Sequence, residues 1–303
     1  AVYCTSWTFY GTVTQALHSG WPIPPTFIGS ILFYVFAFSF MRKLLSLVQE
    51  HNATSIADLI ASRLGRDSAL AAIITAVAVI GIVPYIALQL QAITMSYGML
   101  IGKYQPATEI WKDSALYIAL VMAAFAMLFG TRSASVSERN RGLVLAIAVE
   151  SILKLGAMLA LGLYVWLNFD MGNPVPEEIR YRGSDGFPAL IVLGAFAMFT
   201  LPHQFHVGFI ESNDACDLRT ARWMFPAYMV LIAIPILPLA LAGHHELSAS
   251  GVASDLYVMA LPLSKGDSGM ALLAFIGGLS AATGMVIFST LALSVMISNH
   301  WLT

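Results

Sequence analysis

The chain carries little charge. Lys, Arg, Asp and Glu make up 11% of its 303 residues and hydrophobic residues 58%, a balance outside that of soluble domains. Cysteine is nearly absent. Cys4 and Cys216 lie far apart on apolar or juxtamembrane segments, which excludes a disulfide framework, a zinc site and a redox pair. The formal net charge is −2 with no basic cluster, so nothing points to nucleic acid. A Gly-rich phosphate loop, a His-Glu-x-x-His motif and paired intramembrane aspartates are missing, and Ser280 and Thr283 have no base partner in sequence. Neither an enzyme nor a cofactor is expected.

What the chain does have is apolar runs of bilayer-spanning length, near 26–45, 69–99, 114–130, 142–166, 187–210, 223–243 and 269–298. Residues 1–19 are richer in small, hydroxyl and aromatic side chains and read as a further crossing that lines something polar. Without a basic n-region they do not read as a signal peptide. The expected fold class is an all-α polytopic membrane protein with eight crossings. The abrupt start, and the stop at His300-Trp301-Leu302-Thr303, suggest a piece of a longer protein.

Basic residues set the expected orientation. Loops 42–68, 131–141 and 213–222 carry Arg42, Lys43, Arg63, Arg66, Arg132, Arg139, Arg141, Arg219 and Arg222; the alternate loops carry Lys103, Lys112, Arg180, Arg182 and Lys265. The richer set is expected to be cytoplasmic, which leaves the Asn52-Ala53-Thr54 acceptor unused. Within that side, Thr54-Ser55-Ile56-Ala57-Asp58-Leu59 to Arg63 reads as a short, capped amphipathic helix on the membrane surface.

Polar residues interrupt the spans at four places. Lys154 sits mid-run between Gly142 and Trp166, with Glu150 as its only charged companion. Burying an ammonium at that depth costs at least ~2.5–3.5 kcal/mol, and a carboxylate at i−4 shares its helix face. Two readings fit: a buried ion pair that fixes packing, or a functional charge facing a cavity. The third span carries Gly81, Pro84, Tyr85, Gln89 and Gln91. Pro84 frees the Ile80 carbonyl, and Gln89 should face the interior, as a helix-to-helix hydrogen bond or as a ligand contact. The sixth span reads Phe199-Thr200-Leu201-Pro202-His203-Gln204-Phe205-His206, where a broken helix is tolerated only beside a protein cavity. His203 and His206 have no evident third partner, so no metal site is expected there. The last span carries Gly277-Gly278-Leu279-Ser280-Ala281-Ala282-Thr283-Gly284, a surface for close helix packing whose hydroxyls are also able to face an ion.

The interrupted first and sixth helices, separated by four continuous ones, have the spacing of inverted-repeat transporters. Ala1-Val2-Tyr3-Cys4-Thr5-Ser6-Trp7-Thr8-Phe9-Tyr10-Gly11, Thr54-Ser55-Ile56-Ala57-Asp58 and Pro84-Tyr85-Ile86-Ala87-Leu88-Gln89-Leu90 resemble the sodium/solute symporter family. More narrowly, Tyr3–Gly11 and Leu201-Pro202-His203-Gln204-Phe205-His206 resemble the transporter-like domain of bacterial sensor histidine kinases of the CbrA type. The resemblance runs over essentially the whole chain.

It implies a LeuT-like inverted-repeat bundle, a single symporter-like domain over 1–303 holding the first eight core helices, with the first and sixth discontinuous. It implies an inner-membrane location, and a substrate held between those two helices by Thr5, Ser6, Trp7 and Thr8 of the first and Phe196, Phe199, Thr200 and Leu201 of the sixth, with Tyr85 and Gln89 added from the third. Pro202, His203 and Gln204 would make the second break. Sugar-transporting relatives have carboxamide and carboxylate groups where Trp7, Thr8 and Phe196 stand here. A small amino acid is therefore implied, and histidine by the kinase subgroup.

The family's sodium site implies ligands at Ala1, Cys4 and Ala281. Its two hydroxyl positions fall at Gly284 and Met285, with Thr283 adjacent. Glu150 aligns with a family acidic position, which puts Lys154 where sodium sits in relatives. An ammonium can replace the cation's charge, and desolvation lets such a lysine exchange a proton. The coupling ion is thus H+ or Na+. Three functions follow as expectations. One is a secondary transporter for an amino acid, and another is a receptor feeding a kinase and its response regulator outside these residues. A structural scaffold is the third. Beyond the substrate, the expected partner is membrane lipid.

Overall fold

A computed structural model describes residues 2–65, 67–102, 114–130, 141–170, 186–212 and 215–302. All regular structure among them is helical. Of the basic residues used for orientation, Arg66, Lys103, Lys112, Arg132, Arg139, Arg180 and Arg182 lie outside the described residues, as does Ala1.

Helix α1, Ser6–Ser19, follows a non-helical segment, Val2–Thr5, and stops at Gly20, whose φ of 67° supplies the left-handed cap. Helix α2, Pro25–Phe36, opens on a proline at its first position, where the missing N–H costs nothing. A 76° bend at Ala37 leads into α3, Phe38–Glu50. The apolar run expected as a crossing over 26–45 is therefore a bent pair of helices, not one straight helix. Met41, Leu45 and Val48 give α3 one buried stripe, while Arg42, Lys43, Gln49 and Glu50 are exposed, so a straight continuation would drag those polar groups into lipid. Arg222 supports the bend: its Nε donates to the Val35 carbonyl at 3.1 Å and its guanidinium lies 5.2 Å from the Phe38 ring centroid.

Helix α4, Ile56–Arg63, is the short capped helix expected from sequence, with Ser55 Oγ accepting from Asp58 N at 3.1 Å. Helix α5, Ser68–Leu100, runs unbroken through Pro84. Asp67 Oδ1 caps its start, accepting from Ala69 N at 2.8 Å. Helices α6, Ser114–Gly130, and α7, Arg141–Asn168, follow.

Helix α8, Phe187–Thr200, ends at Leu201, and the chain bends 56° into α9, Pro202–Phe205, and a π-helical turn, His206–Ile210. Proline at the head of α9 disfavours helical geometry in the residue before it, and Leu201 is extended at φ −72°, ψ 125°. Then come α10, Ala215–Ala233, α11, Ile236–Leu247, α12, Tyr257–Ser264, and α13, Ser268–Ile297, which closes in a second π turn, Ser298–Leu302.

Among the described residues, four helical stretches are long and apolar enough to cross a membrane: Ser68–Leu100, Val144–Asn168, Cys216–Ser250 and Ser268–Leu302; counting each bent pair as one span gives six. The chain is an α-helical membrane protein by this measure, and the eight crossings expected from sequence exceed it. Helix α1 has only 14 residues and α6 only 17, below the ~20 a straight span needs.

Two close approaches organise the bundle. A Cβ on Gly29 of α2 would collide with the Ile191 carbonyl of α8, and one on Gly194 of α8 with the Thr26 carbonyl of α2. Small residues on both sides thus let α2 and α8 meet backbone to backbone. On the other flank, Phe9 and Tyr10 of α1 fill the space left by Gly277 and Gly278 of α13. Phe9, Tyr10, Val13, Ala16 and Leu17 form one buried face of α1, fixing that helix in the main core with α7, α11 and α13.

Candidate functional site

The opposite face of α1 lines a cavity of about 400 Å³ between α1 and the broken α8–α9 pair. Trp7, Thr8, Gly11, Thr12 and Gln15 recur at helical spacing along it. Leu193, Gly194, Ala197 and Leu201 supply the α8 side, and His203 and Gln204 follow from beyond the break. Tyr3, Thr26, Phe27 and Tyr85 complete the wall. Trp7 is 42% exposed, and its indole lies over Gly11, where a Cβ would come within 3.0 Å of the ring. Tyr3 donates to the Thr26 carbonyl at 3.0 Å, and Tyr85 stacks on His203 with ring centroids 6.1 Å apart. The lining combines aliphatic and aromatic surface with hydroxyl and carboxamide groups, with no Asp, Glu, Lys or Arg among its described residues.

The start of α1 is sealed from within. Gln89 of α5, fully buried, places Oε1 to accept from Ser6 N at 3.0 Å, Ser6 Oγ at 2.6 Å and Trp7 N at 3.4 Å. Thr5 Oγ1 accepts from Thr8 N at 3.2 Å, and Phe9 N donates to the Thr5 carbonyl at 2.9 Å. The donors that a helix N-terminus leaves over are thus satisfied by the protein. Thr5, Ser6 and Gln89, expected as substrate contacts, hold the break together and are not among the residues that line this cavity. Nε2 of Gln89 is buried with no hydrogen-bond partner.

Behind that break stands Lys154 of α7, 1% exposed. Its Nζ donates to the Cys4 carbonyl at 3.2 Å, on the non-helical segment that leads into α1. Glu150 interacts with Lys154 through charge, but its Oε2 is buried with no hydrogen-bond partner and packs against Gly284, where a Cβ would lie 2.6 Å from that oxygen. Ser280 Oγ donates to the Glu150 backbone carbonyl at 3.4 Å. Cys4 and Ala281 are packed in the same apolar core. Thr283 donates its hydroxyl to Leu279 O of its own helix at 2.7 Å.

Among the expected substrate residues, Trp7, Thr8, Tyr85 and Leu201 line the cavity, with His203 and Gln204 from the predicted break; Pro202 is buried just behind. Phe196, Phe199 and Thr200 do not. Phe196 is 52% exposed on another face of α8. Phe199 stacks on Phe33, centroids 5.4 Å apart, and meets Phe40 edge-on at 5.1 Å. Thr200 is exposed and donates to its own helix at Phe196 O. The cavity face of α8 is instead Leu193, Gly194 and Ala197. Gly11, Thr12 and Gln15 were also missed, although continuing the 3.6-residue period from Trp7 and Thr8 reaches them.

His206 Nε2 stands 3.4 Å from Glu211 Oε1, and no group of three His, Cys, Asp or Glu is arranged to hold a metal among the described residues. No family model, curated protein or solved structure matches the chain.

Proposed function

We propose that the chain is the transporter-like domain of a secondary carrier that binds a small, net-neutral amino acid between α1 and α8–α9 and moves it by alternating access, coupled to a proton or sodium gradient. The observation that carries this reading is Lys154: a buried ammonium bonded to the carbonyl of a broken helix, behind a largely apolar cavity that carries hydroxyl and carboxamide groups but no charged side chain in its described lining. A fixed cation there balances the free carbonyl oxygens that a sodium ion meets in transporters built on discontinuous helices. The oxygen-poor side chains of Ala281, Gly284 and Met285 favour a proton over sodium.

The cavity chemistry supports the substrate class. Without a charged side chain in its described lining, it offers no partner for an unbalanced charge, whereas Thr8, Thr12, Gln15 and Gln204 supply hydrogen bonds. Two breaks opposite one another, at Val2–Thr5 and at Leu201, give the hinges that rocking requires.

Uptake of labelled amino acids into proteoliposomes tests the proposal. Saturable accumulation of at least one amino acid supports it. Saturable binding without accumulation points to the receptor, and neither binding nor uptake across the panel contradicts both.

A further inference from the structure

One polar cluster has no part in the cavity: the turn Thr54–Asp58 and the π-helical end of α13. Thr54 N donates to Asp58 Oδ2 at 3.0 Å, and the Thr54 hydroxyl donates to the same oxygen. That hydroxyl also accepts from Asn299 Nδ2 at 2.9 Å. His300 Nε2 stands 3.1 Å from Asp58 Oδ1, an ion-pair contact too poorly directed for a hydrogen bond. Trp301 Nε1 donates to the Ala72 carbonyl of α5 at 3.3 Å. Three consecutive residues of one helix end are therefore pinned to α4 and α5 by polar contacts, at a π turn, a distortion that recurs at functional positions.

The position of this cluster along α13 gives it meaning. Gly277 and Gly278 meet α1, Gly284 meets Glu150, and Asn299 comes 15 residues further, or roughly 22 Å along the axis. The cavity runs the other way, along Trp7 to Gln15 toward the α1–α2 turn and along Leu201 to Leu193 of α8. At that far end Ser254 and Asp255 hold Thr14 of α1. The Thr54–Asp58 cluster thus closes the bundle on the side opposite the cavity, next to Arg63 of α4.

We infer that Thr54 and Asp58 form a latch on Asn299 and His300 that holds the basic side of the bundle shut while the cavity serves the other side, and that releases α13 when access alternates. The Thr54 hydroxyl is its hub, joining the Asp58 carboxylate to the Asn299 carboxamide. The inference rests on the alternating-access reading, but its test needs no transported substrate.

Cys4, buried at the inner break, is a native reporter. In the full chain, with Cys216 and any other cysteine replaced by serine, a membrane-impermeant thiol reagent is applied separately to each face of sealed vesicles. Thr54→Val, which keeps the side-chain volume, and Asp58→Asn should each raise the Cys4 reaction rate from the basic side by about fivefold or more, the scale of one lost hydrogen bond. The rate from the other side should not rise. Thr54→Cys paired with Asn299→Cys, oxidised to a disulfide, should hold the basic-side rate at its lowest value until reduced; here Cys4 labelling is read by mass spectrometry. Unchanged basic-side rates in both single variants, or a cross-linked protein that labels as fast as the reduced one, would overturn the latch. Failed uptake with an intact change in Cys4 rate would instead remove the transport reading alone.

Discussion

Lys154 and Cys4, separated by 150 positions in the chain, are joined by a hydrogen bond of 3.2 Å from the ammonium to a backbone carbonyl. The contact ties α7 to the segment that leads into α1. A carbonyl in an unwound segment at membrane depth lacks its helical donor, and an ammonium there lacks water. Each satisfies the other, which makes this bond a structural element and a candidate coupling element together.

Gln89 is expected to be worth more to stability than Ser6, although the two side chains touch. Gln89→Leu strands Ser6 N and Trp7 N, at roughly 1–3 kcal/mol for each buried group left unmade. Ser6→Ala removes only a hydroxyl and leaves both amides bonded, a loss of about 0.5–1.5 kcal/mol. Thermal unfolding in detergent should therefore show a distinctly larger drop for Gln89→Leu. Equal drops would mean that the carboxamide does not cap α1.

Glycine positions should separate by what surrounds them. Gly194→Ala and Gly29→Ala press a methyl group into the facing backbone and should each cost ~1–3 kcal/mol. Gly156→Ala in α7 has nothing within 4 Å of the added carbon and should be neutral or stabilising by up to about 1 kcal/mol through helix propensity. The same unfolding measurement ranks them. A loss at Gly156 as large as at Gly194 would contradict the close α2–α8 contact.

Substrate affinity should follow the cavity face of each helix. Thr8→Val and Gln204→Leu are expected to raise the KM for uptake by about three- to tenfold, the value of one polar contact. Thr200→Val and Phe196→Leu, on other faces of α8, should leave KM within about twofold of wild type, as substitutions that touch no substrate do. The reverse pattern would move the site to the face of α8 that the family resemblance implies.

Much of this was readable in the sequence, because membrane burial makes polar residues and breaks conspicuous. Pro202 in an apolar run announced the 56° bend, Ser55 and Asp58 announced the cap of α4, and Lys154 stood out as the one buried ammonium among the described residues. Rotational detail was harder to read. Phe196, Phe199 and Thr200 are a residue or two from the cavity face of α8, and in a helix that is apolar all round no hydrophobic period marks which face is inward. The bend at Ala37 had no proline to announce it, since it depends on Arg222, 187 positions away from the Val35 carbonyl it binds. Glu150 at i−4 shares a charge interaction with Lys154, but the hydrogen-bond acceptor is the Cys4 carbonyl, on a segment distant in sequence. Helical spacing shows which side chains share a face, not which tertiary partner wins.

The most direct measurement is amino-acid uptake by proteoliposomes of the full-length protein under separately imposed proton and sodium gradients, for wild type and Lys154→Ala. Wild-type accumulation should persist without sodium, follow an inward proton gradient and collapse with a protonophore. Lys154→Ala should bind substrate and remain inserted, yet no longer respond to the proton gradient. Strict sodium dependence of the wild type, or proton-driven accumulation that survives Lys154→Ala, would contradict the account.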